Sequence, residues 1–246
     1  MFSWLSISAC PVEPPAKAWV EEQLDWLGTE FAGGSRRPRP VVPPTDESFP
    51  DRYDRSPATV RALFNRVCEF MDVDPERVRV RLYSESNRPM LVNAAGDVMA
   101  GTAGTFEEGD ADNRFIVRLE KSQLENPMDL VGTVAHELAH VRLLGEGRVM
   151  AERFDHELLT DLTAVYFGFG IFLANSPRDW KSGYGVWPGT DVARPEYMSL
   201  PMHAYALAQV AVRRAEQQPP PWMKHLKWDA RVLFKQAMRF LQRRGA

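Results

Sequence analysis

Thr133-Val-Ala-His136-Glu137-Leu-Ala-His140-Val141 is the stretch on which the fold and chemistry of this chain turn. It lies in an apolar run that opens at Asn126-Pro127 and closes at Gly145. Proline suits a first helical turn and glycine commonly ends one, so the run predicts a helix. Residues four apart share a helix face, which lets the imidazoles of His136 and His140 converge on a single metal ion. Glu137 lies about 100° further round, where its carboxylate is no natural third ligand but can reach a metal-bound water. The pattern His-Glu-x-x-His therefore encodes two ligands and a general base in one turn.

A tetrahedral catalytic zinc wants three protein ligands and one open position. The next predicted helix, from about Glu152 to Asn175, is stopped before Pro177. It carries candidates in Arg153-Phe-Asp-His156-Glu157-Leu-Leu-Thr-Asp161. Glu157 and Asp161 are four apart and share a face with Ala164 and Gly168, while Leu158, Leu162, Val165 and Phe169 fill other positions. Small residues on the acidic face allow a close helix approach that delivers carboxylates. His156 adjoins Glu157 but points about 100° away. On the residues alone, Glu157, His156 or Asp161 can complete the set. The two cysteines, Cys10 and Cys68, are too few for a thiolate cluster, so the metal relies on imidazole and carboxylate, a donor set suited to catalysis.

In these two stretches the chain resembles the zincin metallopeptidases, and within them the gluzincins and minigluzincins. That family has His-Glu-x-x-His on one helix and Glu-x-x-x-Asp on the next. Here those are His136-Glu-Leu-Ala-His140 and Glu157-Leu-Leu-Thr-Asp161, separated by sixteen residues. The resemblance implies one zinc ion held by His136, His140 and Glu157, with Glu137 as base and Asp161 orienting a ligand histidine. It also implies that Phe115-Ile-Val-Arg-Leu119 is an edge strand that pairs with extended substrate. The match covers about Phe115 to Asn175. It departs at Arg142, where the family has a hydrophobic residue, and the metzincin continuation is missing because Leu143 and Glu146 stand where glycine and histidine are needed. The chain as a whole also resembles uncharacterised bacterial proteins with a segment similar to Asp161-Leu-Thr-Ala-Val-Tyr-Phe-Gly168.

Zinc-dependent peptide hydrolysis also calls for a group that stabilises the oxyanion. Candidates lie downstream: Tyr197 on a loop, His203 at a helix start and Tyr205 within that helix, which spans about Ala204 to Glu216. The expected activity is a zinc-dependent peptidase acting on a peptide or protein substrate. The alternative is a zincin-like module that binds zinc without catalysis, and a hydrolase of non-peptide amides is a third reading.

Outside the site, Ala16 to Phe31 has a helical apolar face in Trp19, Leu24, Trp26, Leu27 and Phe31. Gly33 to Pro50, with prolines at 38, 40, 43, 44 and 50, reads as an extended tether lying across the surface. Ser56-Pro57 opens a helix to about Met71 with Val60, Leu63, Phe64, Val67 and Phe70 buried, and Val78 to Leu82 alternates as a half-buried strand. Gly96 to Asp112 reads as a hairpin or loop, and Asn175 to Pro195, with Trp180, Tyr184 and Trp187, as an ordered loop. The fold expected is α+β and zincin-like: a small, mainly antiparallel sheet with an active-site helix and a ligand helix behind it, and extra helices at both ends. Residues 1–50 form an N-terminal helix and tether, and 51–246 the zincin-like domain.

At 246 residues, 44% hydrophobic and 26% charged, the chain has the composition of a globular enzyme. Its net charge of −3 is uneven: seven basic residues and one acid from Trp222 onward give +6, leaving −9 over residues 1–221. The whole chain lacks a field suited to nucleic acid, but Trp222 to Arg244 reads as an amphipathic basic helix able to meet an acidic partner. Its apolar positions are Leu226, Ala230, Leu233, Ala237 and Leu241. Ile7-Ser-Ala-Cys10 imitates a lipidation box but lacks a basic lead and a continuous apolar region. No run approaches the about 20 apolar residues of a membrane span. A cytoplasmic protein with reduced thiols is the expectation.

Overall fold

The computed structural model describes residues 9–31, 37–84, 104–107, 114–176 and 183–244. Residues 1–8, Gly33-Gly34, Trp180 and all of the Gly96 to Asp112 stretch except 104–107 lie outside them. The described residues show the α+β class: helices with two small sheets. They form two compact units, residues 44–156 and residues 1–43 with 157–246.

In the 44–156 unit, helix α2 (Pro57–Met71) starts where Ser56 accepts from the Thr59 N–H and Pro57 fills the first turn. It ends at Asp72, which adopts a left-handed conformation (φ 53°). Strands β1 (Val78–Tyr83), β2 (Gly104–Glu107) and β3 (Phe115–Glu120) form a sheet in the order β1-β3-β2. β1 runs parallel to β3, with Val78 opposite Phe115, and β2 runs antiparallel to β3, with Gly104 opposite Leu119. The sheet is therefore mixed, its longest ladder parallel. The expectation that Phe115–Leu119 is an edge strand is corrected: β3 is central and paired on both sides. Its side chains give the reason, because neighbouring Ile116 and Val117, which face opposite ways, are both buried. On β1 the alternation is only partly realised, since Val78 is buried but Leu82 is exposed. Helix α3 (Pro127–His140) follows and continues as a π turn, Val141–Gly145.

The other unit holds α1 (Pro14–Phe31), then α4 (His156–Ala164), a kinked segment (Val165–Phe169) and α5 (Gly170–Asn175). The hairpin β4 (Gly183–Val186) and β5 (Ala193–Pro195) replaces part of the expected loop and leads to α6 (Leu200–Arg213) and α7 (Trp228–Arg244). The expected second long helix is thus not one rod. At Gly168 the backbone turns to φ 103°, and residues 37–43 fill the break. Arg39 N–H donates to Tyr166 O and Val42 N–H to Gly168 O, each at 2.9 Å. The proline-rich stretch is therefore no surface tether there: Val41 and Val42 are buried, and Arg214 Nη1 donates to Pro38 O at 2.8 Å. By length and composition His156–Asn175 could cross a membrane, contrary to expectation, but 94% of its apolar window is buried, as in a core helix. A Cβ on Gly170 would stand 2.6 Å from Leu207 Cδ2, so glycine permits the close crossing of α5 and α6.

The C-terminal segment begins with a 3₁₀ turn, Pro221–His225, before α7. Its buried stripe is Ala230, Phe234, Ala237 and Met238, rotated from the expected one so that Leu233 and Leu241 are only half-buried. Arg231 is used internally, Nη2 donating to Lys224 O and Leu226 O, whereas Lys224, Lys227, Lys235 and Arg239 are exposed.

Candidate metal centre

The first helix of the site is fixed at its start by Asn126, whose Oδ1 accepts from the Met128 N–H at 3.0 Å. From Leu130 to Val141 every residue is buried, so the polar side chains of this helix lie in the interior. His136 and Glu137 are each 2% exposed and His140 is 7% exposed. The imidazoles meet edge to face with ring centroids 4.8 Å apart. Polar groups are held in such a place by hydrogen bonds or by coordination, because burying them otherwise is costly.

Two contacts set the far end of this helix. A Cβ on Gly145 would stand 2.6 Å from Phe115 Cε1, so the glycine admits the β3 ring against the π turn. Arg142 extends to the end of α2, its Nη1 donating to Asp72 O at 2.6 Å and Met71 O at 3.3 Å. A guanidinium at the carbonyl end of a helix satisfies free acceptors and opposes the dipole, which explains why arginine stands where a hydrophobic residue was expected.

The segment after the π turn is held tightly although it has no regular structure. Arg148 N–H and Val149 N–H both donate to Leu143 O, at 2.8 and 3.1 Å. Arg153 grips the buried Asp155 carboxylate with two bonds, Nε to Oδ1 at 2.6 Å and Nη2 to Oδ2 at 3.2 Å. His156 Nδ1 lies 3.1 Å from Arg153 O, and its ring centroid is 6.2 Å from that of His140. The peptide bond from His156 then carries Glu157 to the imidazoles. Ligand atoms of His136, His140 and Glu157 all lie within 4.8 Å of one another. A tetrahedral zinc with bonds of about 2.0 to 2.1 Å sets its ligands about 3.4 Å apart, a contraction within reach of side-chain rotation. Two nitrogens and one carboxylate oxygen thus fit the ion, and His156 stands outside the convergent group.

One turn beyond Glu157, the Asp161 Oδ2 accepts from the Met198 N–H at 2.9 Å and lies 3.9 Å from His203 Nε2. Asp161 thereby fastens the segment entering α6, which carries both Tyr197 and His203, and both residues are buried. Tyr205 is committed elsewhere: its hydroxyl donates to Glu21 Oε1 at 2.6 Å, while Gln209 Nε2 donates to both. Burial, followed by the bond to Glu21, raises the Tyr205 phenol above its ordinary value and keeps it protonated, with its proton given to the Glu21 carboxylate. Sequence reasoning missed this role of Asp161 and the break at Gly168. A glycine inside an apolar helical run is a weak signal for such a break. Comparison with protein-family models, curated proteins and solved structures finds no match to this chain.

Proposed function

We propose that the protein is a zinc-dependent peptidase with a gluzincin-like centre, and the convergence of His136, His140 and Glu157 within 4.8 Å carries the reading. When bound at these residues, zinc would acidify water and polarise a carbonyl. The Glu137 carboxylate takes the proton of the attacking water and returns it to the leaving amine nitrogen. His136 and His140 share a turn with Glu137, so helix α3 holds base and ligands in one register. Asp161 holds the Tyr197 and His203 segment, from which one side chain meets the oxyanion. The substrate is a peptide or protein in the cytoplasm, where Cys10 and Cys68, both free thiols, stay reduced. An acidic partner suits α7, which exposes Lys227, Lys235 and Arg239.

The test joins metal analysis to digestion of a broad peptide library. The protein binds one zinc per chain and cleaves, whereas Glu137→Gln keeps its zinc and loses about 10²- to 10⁴-fold in turnover. Unchanged cleavage by that variant defeats the proposal. The burial of Glu137 favours a second reading, a zinc-binding regulatory module, which would hold the metal and cut nothing.

A further inference from the structure

The two tryptophans of the C-terminal segment stand in opposite surroundings. Trp222 is buried, its ring centroid 5.1 Å from that of Phe234 and its Nε1 donating to Glu216 Oε2 at 2.6 Å. Trp228, at the start of α7, is 79% exposed, and among the described residues its indole has no ring or hydrogen-bond partner. Leaving it in water forgoes one of the largest apolar burials a side chain can make. Val232, 44% exposed, and the exposed Lys235 and Arg239 follow on the same helix. At 100° per residue these four fall within about 60° of arc, a stripe about 16 Å long. The buried Ala230, Phe234, Ala237 and Met238 lie on the other side of the helix.

The cations of this unit divide in the same way. Arg213 pairs with Asp25 and Arg214 with Glu216, and Arg231 is spent on the carbonyls of Lys224 and Leu226. Lys224, Lys227, Lys235 and Arg239 are exposed, and among the described residues none of them is paired with an acid. Asp229, the one acid from Trp222 onward, lies about 100° round from Trp228, and its Oδ1 accepts from the Ala230 N–H at 2.8 Å. Residues 1–221 carry −9, so the chain as a whole is not drawn to an anionic surface. The attraction belongs to this one face and acts over about a Debye length.

The outer side of a packed helix is a ridge and not a groove, so it suits a partner that yields to its shape. A fluid bilayer does so: it takes an indole at the level of its headgroups and gathers anionic lipid around lysine and arginine. We infer that the outer face of α7 docks on the surface of a bilayer containing anionic phospholipid. Lys227, Lys235 and Arg239 meet lipid phosphates, and Trp228 sits among the headgroups. The apolar stripe of α7 is committed to the core, so the helix rests on the membrane without entering it. The inference rests on the reading of α7 as the contact for an acidic partner and names that partner, and it is independent of the zinc chemistry.

The full chain is sedimented with vesicles of phosphatidylcholine alone and of an equal mixture with phosphatidylglycerol. It binds the mixed vesicles only and is released by salt. Lys235→Gln/Arg239→Gln lowers the affinity about 10- to 30-fold, since each cation near such a surface is worth about fivefold. Trp228→Ser lowers it about tenfold. Arg52→Gln/Lys121→Gln, the same charge change at exposed positions of the other unit, leaves it unchanged. All five positions are exposed, and circular dichroism verifies that each variant is folded. Equal binding to both kinds of vesicle, binding that survives either α7 variant, or an equal loss in the Arg52→Gln/Lys121→Gln control overturns the inference. A labelled acidic peptide and a DNA duplex are titrated in the same buffer. If one of these binds through Lys235 and Arg239 while the vesicles do not, the membrane is overturned and the acidic-partner reading stands. No binding to any of the three overturns both.

Discussion

Helices α3 and α4 each supply side chains of the candidate metal centre, and each leaves α geometry shortly after its last residue there. The first passes into the π turn Val141–Gly145 immediately after His140, and the second into Val165–Phe169 four residues after Asp161. The two are held differently. At Gly145 the neighbour is the end of the Phe115 side chain, which can shift, whereas at Gly168 it is main chain from residues 39–42. Gly168 also has φ 103°, a conformation that side chains resist, and a Cβ there would stand 2.3 Å from Pro40 O. One turn is a helix end adjusted by packing, and the other is a backbone joint that accepts glycine alone.

Urea denaturation tests that difference most strongly at Gly168. Gly168→Ala combines left-handed strain with a main-chain collision and should cost about 3–5 kcal/mol. Equal losses for Gly168→Ala and Gly145→Ala would collapse the distinction. Next in size is Asp161→Ala, which leaves the buried Met198 N–H without its acceptor and should cost about 2–3 kcal/mol by the same measurement. It should also loosen the segment bearing Tyr197 and His203, seen as faster amide exchange there. Gly145→Ala should cost only about 1–2 kcal/mol, because the Phe115 ring can give way. The smallest effect is at the start of α3, where Asn126→Ala removes a cap worth about 1 kcal/mol.

The readable parts of the chain were those set by local chemistry. Ser56-Pro57 marked the start of α2, Asn126-Pro127 that of α3, and the four-residue spacing of His136 and His140 predicted that their side chains meet, because one helical turn enforces it. The ligand helix was legible in its apolar content but not in its break, since the partner of Gly168 is about 125 residues earlier in the chain. Strand β3 was located correctly and given the wrong place, because strand order follows from pairing with β1 and β2 and not from its own five or six residues. For α7 the helix was evident, but its start moved to Trp228 and its buried stripe rotated once neighbouring helices were present.

Residue type and spacing alone determined that two imidazoles and a carboxylate lie within one helical turn, because the α-helix has a fixed pitch. They also narrowed the third ligand to His156, Glu157 or Asp161, all within a short stretch of the next helix. Tertiary structure set these three apart. It turned His156 toward the Arg153 carbonyl, gave Asp161 to Met198 and brought Glu157 to the histidines. Such choices depend on which backbone groups at distant positions need a partner once buried, and no local rule of the chain encodes that requirement.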